Sequence, residues 1–189
     1  MQNESMGGNR YFITFIDDYS RMCWVYFLIN KSGALNVFKK FRAFVELQSG
    51  YKLKKLRSDR GGEYTSNEFE EFCALQGMER QLTVAYSPQQ NGVAERRNRT
   101  ICEMARSMLL EKEMPLIFWA EVVNTAVYIQ NRCYTTSVIE KTPFEAFTGR
   151  KPGVKHLKVF SWLCYTHIPS SLRQKWDSKT GKGSVCWIW

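Results

Sequence analysis

The sequence predicts a mixed α/β layer protein, and two patterns carry this prediction. Short runs of aromatic and β-branched residues, typical of strands, alternate along residues 11–131 with segments whose apolar residues recur every three or four positions, as in helices. The chain has 189 residues, 44% of them hydrophobic, which is enough for one domain with a buried core. The predicted order is strand, strand, helix, strand, helix, strand, helix, helix, followed by a loop-rich extension.

The first half of this order begins with two strands, predicted at residues 11–16 and 23–29. Aspartate and serine lie between them and favour a turn, so we expect a β-hairpin or two adjacent antiparallel strands. Residues 34–48 have helical periodicity and should end at Ser49-Gly50. A third strand should begin at Leu53 and lead into the glycine-containing segment after Ser58.

A short helix is predicted next, because Thr65 and Glu68 fit a capping box and Gly77 can end the helix. A short strand follows at residues 81–84. The apolar face of the short helix should be formed by Phe69, Phe72 and Leu75.

Two longer helices close the predicted core, at residues 93–110 and from Pro115 to Asn131. After Cys133 proline and glycine become frequent, and we expect one strand near residues 157–165. We therefore predict two parts, a core over residues 1–133 and a basic, loop-rich extension over residues 134–189.

The composition restricts the classes of protein. The formal net charge is +9, from 27 basic and 18 acidic residues. It indicates an anionic partner such as nucleic acid or a membrane surface, and the charge alone does not choose between them. The excess is uneven, because residues 1–150 hold 20 basic and 17 acidic side chains while residues 151–189 hold 7 and 1. The longest apolar run has seven residues, against roughly 20 for a membrane helix, and the amino end has no signal-peptide pattern. We expect an intracellular protein, in the nucleus or the cytoplasm, with no membrane contact.

Cysteine and histidine give a weak signal. The six cysteines are 22 to 50 residues apart and include no CxxC pair, which favours buried free thiols over a disulfide framework. A metal site built on Cys164, His167 and His156 is an open alternative, but packing is the simpler interpretation of these residues.

Two acidic residues stand out as candidates for chemistry. Asp59 falls at the end of a predicted strand beside Gly61-Gly62, and Glu95 falls in the first turn of a long helix, 35 residues further on. A carboxylate at a strand end beside a flexible loop can reach a metal ion, and the glycines leave room for a phosphate. By itself the pair means little in a chain with 18 acids.

Arginines accompany Glu95 on its helix. Arg99 and Arg106 share its face at helical spacing, while Arg96 and Arg97 flank that face. Carboxylates for a metal and arginines for phosphates are what phosphodiester chemistry requires. On the pattern alone, a solvated charged surface explains these residues better.

Longer motifs around these residues favour phosphodiester chemistry over a solvated charged surface. LRSDRGGEY around Asp59 and YSPQQNGVAERRNR around Glu95 closely resemble the integrase catalytic core of Copia-type (Ty1/copia) LTR retrotransposons. GGNRYFITFIDDYSR, WVYFL, TPFEAFTGRKP and HLKVF resemble the same family in the same order. The resemblance covers about residues 1–175, and the final SVCWIW departs from the family pattern, as after a frameshift.

The resemblance implies a ribonuclease H-like mixed sheet with flanking helices, and an Asp, Asp, Glu triad that binds two Mg²⁺ or Mn²⁺ ions. Asp59 matches the second acid of the triad and Glu95 the third. The implied activity is trimming of element DNA ends and their joining to target DNA, and other implied partners are further copies of the chain or other polyprotein products. The positions that would contact DNA are Gln89, Asn91, Arg96, Arg97, Arg99 and Arg106.

The same resemblance implies that the first, central strand and its aspartate are absent here. Asp17 or Asp18 could replace that acid, but turn formation explains both residues more simply. Three hypotheses follow: a truncated integrase core with little or no catalysis alone, a host-retained nucleic-acid-binding or interaction module, and an active enzyme that uses Asp17 or Asp18. Without a central strand, we expect the isolated chain to be marginally stable or to need another segment in the gap.

Overall fold

The computed structural model describes residues 3–83, 92–175 and 177–184. Its strands are β1 (Tyr11–Ile16), β2 (Cys23–Leu28), β3 (Lys55–Ser58), β4 (Glu79–Leu82), β5 (Leu163–His167) and β6 (Thr180–Ser184). Its helices are α1 (Ala34–Ser49), α2 (Asn67–Leu75), α3 (Gly92–Glu111), α4 (Trp119–Gln130) and α5 (Pro143–Thr148). The predicted order of elements up to α4 is confirmed, and the architecture is mixed α/β.

β1 and β2 form the predicted antiparallel hairpin, with Tyr11 opposite Leu28 and Ile16 opposite Cys23. The turn is held by the carboxylate of Asp17, which accepts hydrogen bonds from the Ser20 backbone N–H (2.8 Å) and hydroxyl (2.6 Å). Such side-chain bonds to a nearby backbone are why aspartate favours turns.

The hairpin separates two apolar clusters because alternate residues of a strand point to opposite faces. On one face, Phe12, Val25 and Phe27 pack against a buried cluster supplied by α3 and α4. On the other face, Ile13 and Phe15 join a cluster supplied by α1 and α2, and the ring centroids of Phe15 and Phe41 are 4.2 Å apart in a stacked arrangement. The buried members of this cluster are Ile13, Phe15, Leu28, Ala34, Phe38, Phe41, Val45, Phe69, Cys73 and Met78. The hairpin is therefore the middle layer of a three-layer core.

β3 and β4 form a separate parallel pair joined by α2. A helix connects them because parallel neighbours need a long crossover. The strand predicted at residues 81–84 is observed two residues earlier, at Glu79–Leu82.

The start of α2 differs from the prediction by one residue. Ser66, not Thr65, is the N-cap, and its side chain accepts a hydrogen bond from Phe69 N. The predicted inward position of Leu75 is also wrong, since its side chain is 83% exposed. Cys73 is buried instead, and Gly77 ends the helix with a φ of 63°, as expected.

Among the described residues, β1 pairs only with β2 and β3 only with β4. Asp17 N–H donates to Met22 O, next to the pair Ile16 and Cys23. In an antiparallel pair the residues that bond to the partner strand alternate with residues that do not, so the backbone N–H and C=O groups of Phe12, Thr14 and Ile16 point away from β2. Glu79 N of β4 donates to Lys54 O, and the N–H of Thr83, directly after β4, donates to Ser58 O. By the same alternation, the backbone groups of Lys55 and Arg57 point away from β4; β1 and β3 each have one open edge.

A cavity of about 540 Å³ runs along these two edges, and we call it the interstrand cavity. Six consecutive residues of β1 and four of β3 line it. Consecutive residues point to opposite faces, so a cavity that touches all of them follows the edge of the strand. α1 contributes Phe41 and Val45 to its walls, and the start of α3 contributes Val93, Ala94 and Asn98.

The segment after Cys133 is more regular than predicted. α5 begins after the N-cap Thr142, and its Phe147 ring packs edge-on against Trp24 of β2 at 4.9 Å. The single strand expected near residues 157–165 is an antiparallel pair, β5 with β6, and begins later, at Leu163. The boundary between residues 133 and 134 stays a prediction. No helix in the described part of the chain has the length and apolarity to cross a membrane.

Candidate active site

Asp59 lies immediately after β3, where the chain leaves the sheet. Its side chain is exposed, and its Oδ1 accepts a hydrogen bond from Gly61 N at 3.0 Å. This local turn holds one carboxylate oxygen and directs the loop away from the end of the strand.

Two acidic side chains crowd the position of Gly61. A Cβ on residue 61 would lie 2.9 Å from Glu63 Oε2 and 3.1 Å from Asp59 Oδ1, tight contacts that these flexible side chains can relieve by shifting. Two carboxylates therefore converge on one point. Burial raises the pKa of the nearby Tyr64 hydroxyl, and the negative charges of Asp59 and Glu63 raise it further.

Glu95 lies exposed in the first turn of α3, as predicted. One turn further, Asn98 is half-buried, and its Oδ1 accepts a hydrogen bond from the Thr14 hydroxyl at 2.8 Å. This bond joins the start of α3 to the middle of β1. It fixes the part of the helix that carries Glu95.

Asp59, Glu63 and Asn98 all line the interstrand cavity, so the structure brings the end of β3 and the start of α3 to one space. Sequence reasoning missed Glu63, Asn98 and Thr14. Glu63 could have been found from its place in the motif LRSDRGGEY, whereas an asparagine inside a helix carries no signal in one sequence.

Asp17 and Asp18 also line this cavity, but both carboxylates already have partners. Asp17 Oδ2 holds the hairpin turn through Ser20, and Asp18 Oδ1 lies 2.7 Å from Arg21 Nη1. These contacts agree with the turn-forming interpretation of both aspartates.

The donor chemistry fits a hard divalent cation. Carboxylate oxygens such as those of Asp59 and Glu95 are the ligands Mg²⁺ prefers, and Gly61 leaves space beside Asp59. In residues 3–83, 92–175 and 177–184, however, no three His, Cys, Asp or Glu side chains are grouped closely enough to hold a metal.

The arginines of α3 occupy two environments. Arg96, Arg99 and Arg106 are exposed, whereas Arg97 is half-buried and its Nη2 donates to Asn131 Oδ1 at 3.2 Å. Arg97 therefore stabilises the fold through its contact with Asn131, whether or not it also contacts a ligand. The predicted DNA contacts Gln89 and Asn91 lie outside the described residues.

The cysteines of the described segments are free thiols, as the spacing predicted. Cys23 and Cys73 are buried, but Cys102 and Cys164 are partly exposed and Cys133 is exposed, so the prediction of burial is wrong for Cys133. His156 Nε2 lies 2.7 Å from the Tyr128 hydroxyl, so at least one histidine of the alternative metal site has a protein partner.

Comparison with known proteins gives consistent matches. Residues 3–88 match the integrase core domain family. The chain is 50% identical over 180 residues to the retrovirus-related Pol polyprotein from transposon TNT 1-94 of Nicotiana tabacum, covering 95% of this chain and 14% of that polyprotein. It is 30% identical over 176 residues to the polyprotein from transposon RE2 of Arabidopsis thaliana, covering 93% of this chain and 12% of that one. The chain thus spans a small part of these relatives.

Solved structures share the fold. The simian T-cell lymphotropic virus intasome, in complex with PP2A regulatory subunit B56 gamma, superposes with a TM-score of 0.61 at 16% identity, covering 92% of this chain and 60% of that one. The HTLV-2 integrase catalytic core domain in complex with magnesium superposes with a TM-score of 0.53 at 21% identity, covering 71% of this chain and 82% of that one. The predicted ribonuclease H-like fold is confirmed. With this fold, the motifs at Asp59 and Glu95 and the polyprotein matches, the chain belongs to the integrase core family, in its Copia-type retrotransposon branch.

Proposed function

We propose that this chain carries part of a site for DNA integration, in which polynucleotidyl transfer joins DNA ends to a target strand. The observation that carries the proposal is the meeting of Asp59, at the end of β3, with the first turns of α3 at one cavity. The family match supports it.

Asp59 and Glu95 would hold Mg²⁺ or Mn²⁺, and Asn98 would fix the part of α3 that carries Glu95 through its bond to Thr14. The metal, when bound, supplies activation of the attacking oxygen and charge neutralisation on the leaving oxygen. The exposed arginines 96, 99 and 106 would hold backbone phosphates, which positions DNA without reading its sequence.

We expect little or no strand transfer by these 189 residues alone. A two-metal site needs an anion shared between the ions, and the described residues contain no group of three metal-binding side chains. The same observation, with the exposed arginines, favours the second candidate function: nucleic-acid binding without catalysis.

Metal-dependent DNA binding separates the two candidates. An integration site predicts that Mg²⁺ or Mn²⁺ tightens binding of a labelled DNA end, and that Asp59→Asn and Glu95→Gln abolish this effect. Glu103→Gln, an exposed acid on the same helix, should retain it. Binding that is indifferent to metal in every variant would leave only the non-catalytic module.

A strand-transfer assay tests the remaining hypothesis. Efficient joining of DNA ends by the chain alone, abolished by Glu95→Gln, would contradict our expectation of little catalysis. Loss of that activity in Asp17→Asn or Asp18→Asn would then identify the replacement acid. Asp17→Asn must be shown to fold, because Asp17 holds the hairpin turn.

We further propose that the substrates are element DNA ends and target DNA, met inside the cell in the nucleus or cytoplasm. Association with further copies of the chain or with other polyprotein products would complete the assembly. Crosslinking of the chain on a DNA end would detect such self-association.

A further inference from the structure

A second cavity, of about 240 Å³, lies between the hairpin turn, the first half of α3 and the segment that follows α4. We call it the arginine pocket. Its walls hold three guanidinium groups together with hydroxyl and amide groups, and none of its described lining residues is acidic. The main polar members are Arg21, Arg96, Arg97, Thr100, Gln130 and Thr135.

Two of the three guanidinium groups of the arginine pocket, those of Arg96 and Arg97, have no carboxylate partner among the described residues. Among the described residues, Arg97 Nη2 donates to the neutral oxygens Asn131 Oδ1 (3.2 Å) and Arg21 O (3.5 Å), and Arg97 also hydrogen-bonds the Cys23 thiol. Its Nε is buried without a hydrogen-bond partner. Arg21 pairs with Asp18, but within the described ranges no carboxylate lies within 4 Å of Arg96 or Arg97. A partly buried cation of this kind favours an anionic ligand.

The Cys23 thiol, which interacts with Arg97, does not supply that anion. Burial raises the pKa of the Cys23 thiol to about 11, although Arg97 acts in the opposite direction. Cys23 is therefore a neutral thiol at pH 7. The charge on Arg97 stays available to a ligand.

Two further groups in the arginine pocket need partners. Gln130 is only 7% exposed, and its Oε1 has no hydrogen-bond partner, while its amide nitrogen contacts Met104 Sδ at 3.2 Å. The Thr135 hydroxyl is also buried without a partner. Buried polar atoms are normally satisfied, so these two point to a ligand or water that bonds to them.

We propose that the arginine pocket binds a phosphate group. The forked guanidinium groups of Arg96 and Arg97 suit paired phosphate oxygens, and the Thr135 hydroxyl can donate to a third. Gln130 Oε1 can accept a hydrogen bond from a hydroxyl of the ligand, either on a protonated phosphate or on a sugar. Inorganic phosphate and a nucleic-acid phosphate share this chemistry.

The arginine pocket does not include Asp59 or Glu95, so its occupancy can be tested without a divalent metal. Binding of inorganic phosphate to the full chain is measured by calorimetry and by thermal melting at constant ionic strength, with chloride as the reference anion. We expect saturable binding to one site. Arg96→Gln and Thr135→Val should each weaken it at least fivefold, and Arg150→Gln, an exposed arginine outside the pocket, should not.

A short single-stranded oligonucleotide distinguishes the two phosphate sources. Competition between oligonucleotide and phosphate, lost in Thr135→Val, would identify the nucleic-acid backbone as the ligand. Phosphate binding without competition would identify the free anion. The proposal would be overturned if neither phosphate nor the oligonucleotide bound to wild type. It would also be overturned if each probe bound Arg96→Gln and Thr135→Val with the same affinity as wild type. Asp59→Asn should leave phosphate binding unchanged, so failure of the metal site would not be mistaken for failure of this one.

Discussion

At the residue scale, Glu46 in α1 is the acid whose environment most clearly affects stability. Burial opposes its ionisation, but hydrogen bonds from Leu53 N, Arg42 and Lys52 outweigh burial and lower its pKa to about 2. The carboxylate thus joins the last turn of α1 to the chain that enters β3. We predict that Glu46→Gln lowers the free energy of unfolding by about 1–2 kcal/mol at pH 7.

The pH dependence follows from the lowered pKa. A carboxyl with a pKa below its unfolded value stabilises the fold above the unfolded pKa, about 4.5, and this stabilisation is lost as pH falls towards 2. Denaturant titrations of wild type and Glu46→Gln should therefore differ at pH 7 and converge between pH 4.5 and 2. Glu71→Gln, an exposed acid on α2, is the control and should track wild type; a constant gap between Glu46→Gln and wild type would contradict the ionic explanation.

Arg99 tests the predicted phosphate contacts on α3. It is exposed, so Arg99→Gln should leave the fold intact and weaken DNA binding equally for different sequences. Losing one phosphate contact should reduce the slope of log affinity against log salt by about 0.9. Fluorescence anisotropy over a salt series measures this slope, and an unchanged slope would place Arg99 outside the DNA interface.

The sequence indicated the two candidate acids, but not the residues that hold the surrounding backbone in place. Asp59 and Glu95 are recognisable because their motifs place each at an element boundary. Asn98 acts through one hydrogen bond to Thr14, 84 positions earlier in the chain, and a single sequence does not show such a contact. The one-residue difference in the N-cap has a similar reason: Thr65 and Ser66 are both good caps, and tertiary packing of Phe69 decides between them.

At the element scale, the open edge of β3 can be tested by proline substitution. The N–H of Leu56 faces β4, whereas that of Arg57 faces the interstrand cavity. Leu56→Pro should cost about 3 kcal/mol or more, and Arg57→Pro less than about 1 kcal/mol, because only the first breaks the ladder. Arg57→Ala controls for the lost side chain. Chemical denaturation measures all three, and equal destabilisation by the two prolines would contradict an open edge.

Periodicity predicted the elements whose residues face a large core and failed where packing is local. α3 and α4 were placed within a few residues because their apolar faces meet in one buried cluster. α5 has only six residues, too few to show a helical period, and its formation depends on the Thr142 cap and on Phe147 packing against Trp24. β6 has glycine at two of its five positions and no strand-like composition.

At the scale of the whole molecule, the core layer is interrupted. The hairpin is covered by helices on both faces, but its edge at β1 and the edge of β3 border the interstrand cavity, and no other described strand pairs with either edge. Backbone groups on such edges lack strand partners and must be solvated, which weakens the link between the two sheets. Marginal stability was expected from the absence of the first strand that the resemblance implies, and it stays a prediction. The register identifies the residues whose backbone groups lie on the open edges.

The register therefore predicts a specific pattern of hydrogen exchange. The amides of Phe12, Thr14 and Ile16 should exchange roughly tenfold or more faster than those of Ile13 and Phe15, although all five side chains lie in one strand. Thermal unfolding should be broad, with early loss of the β3–β4 pair, because few strand hydrogen bonds join it to the hairpin. Exchange measured by NMR and a melt followed by two probes test this. Uniform protection along β1 with one sharp transition would show that the described fold already closes its own edges, and the expectation of marginal stability would then be wrong.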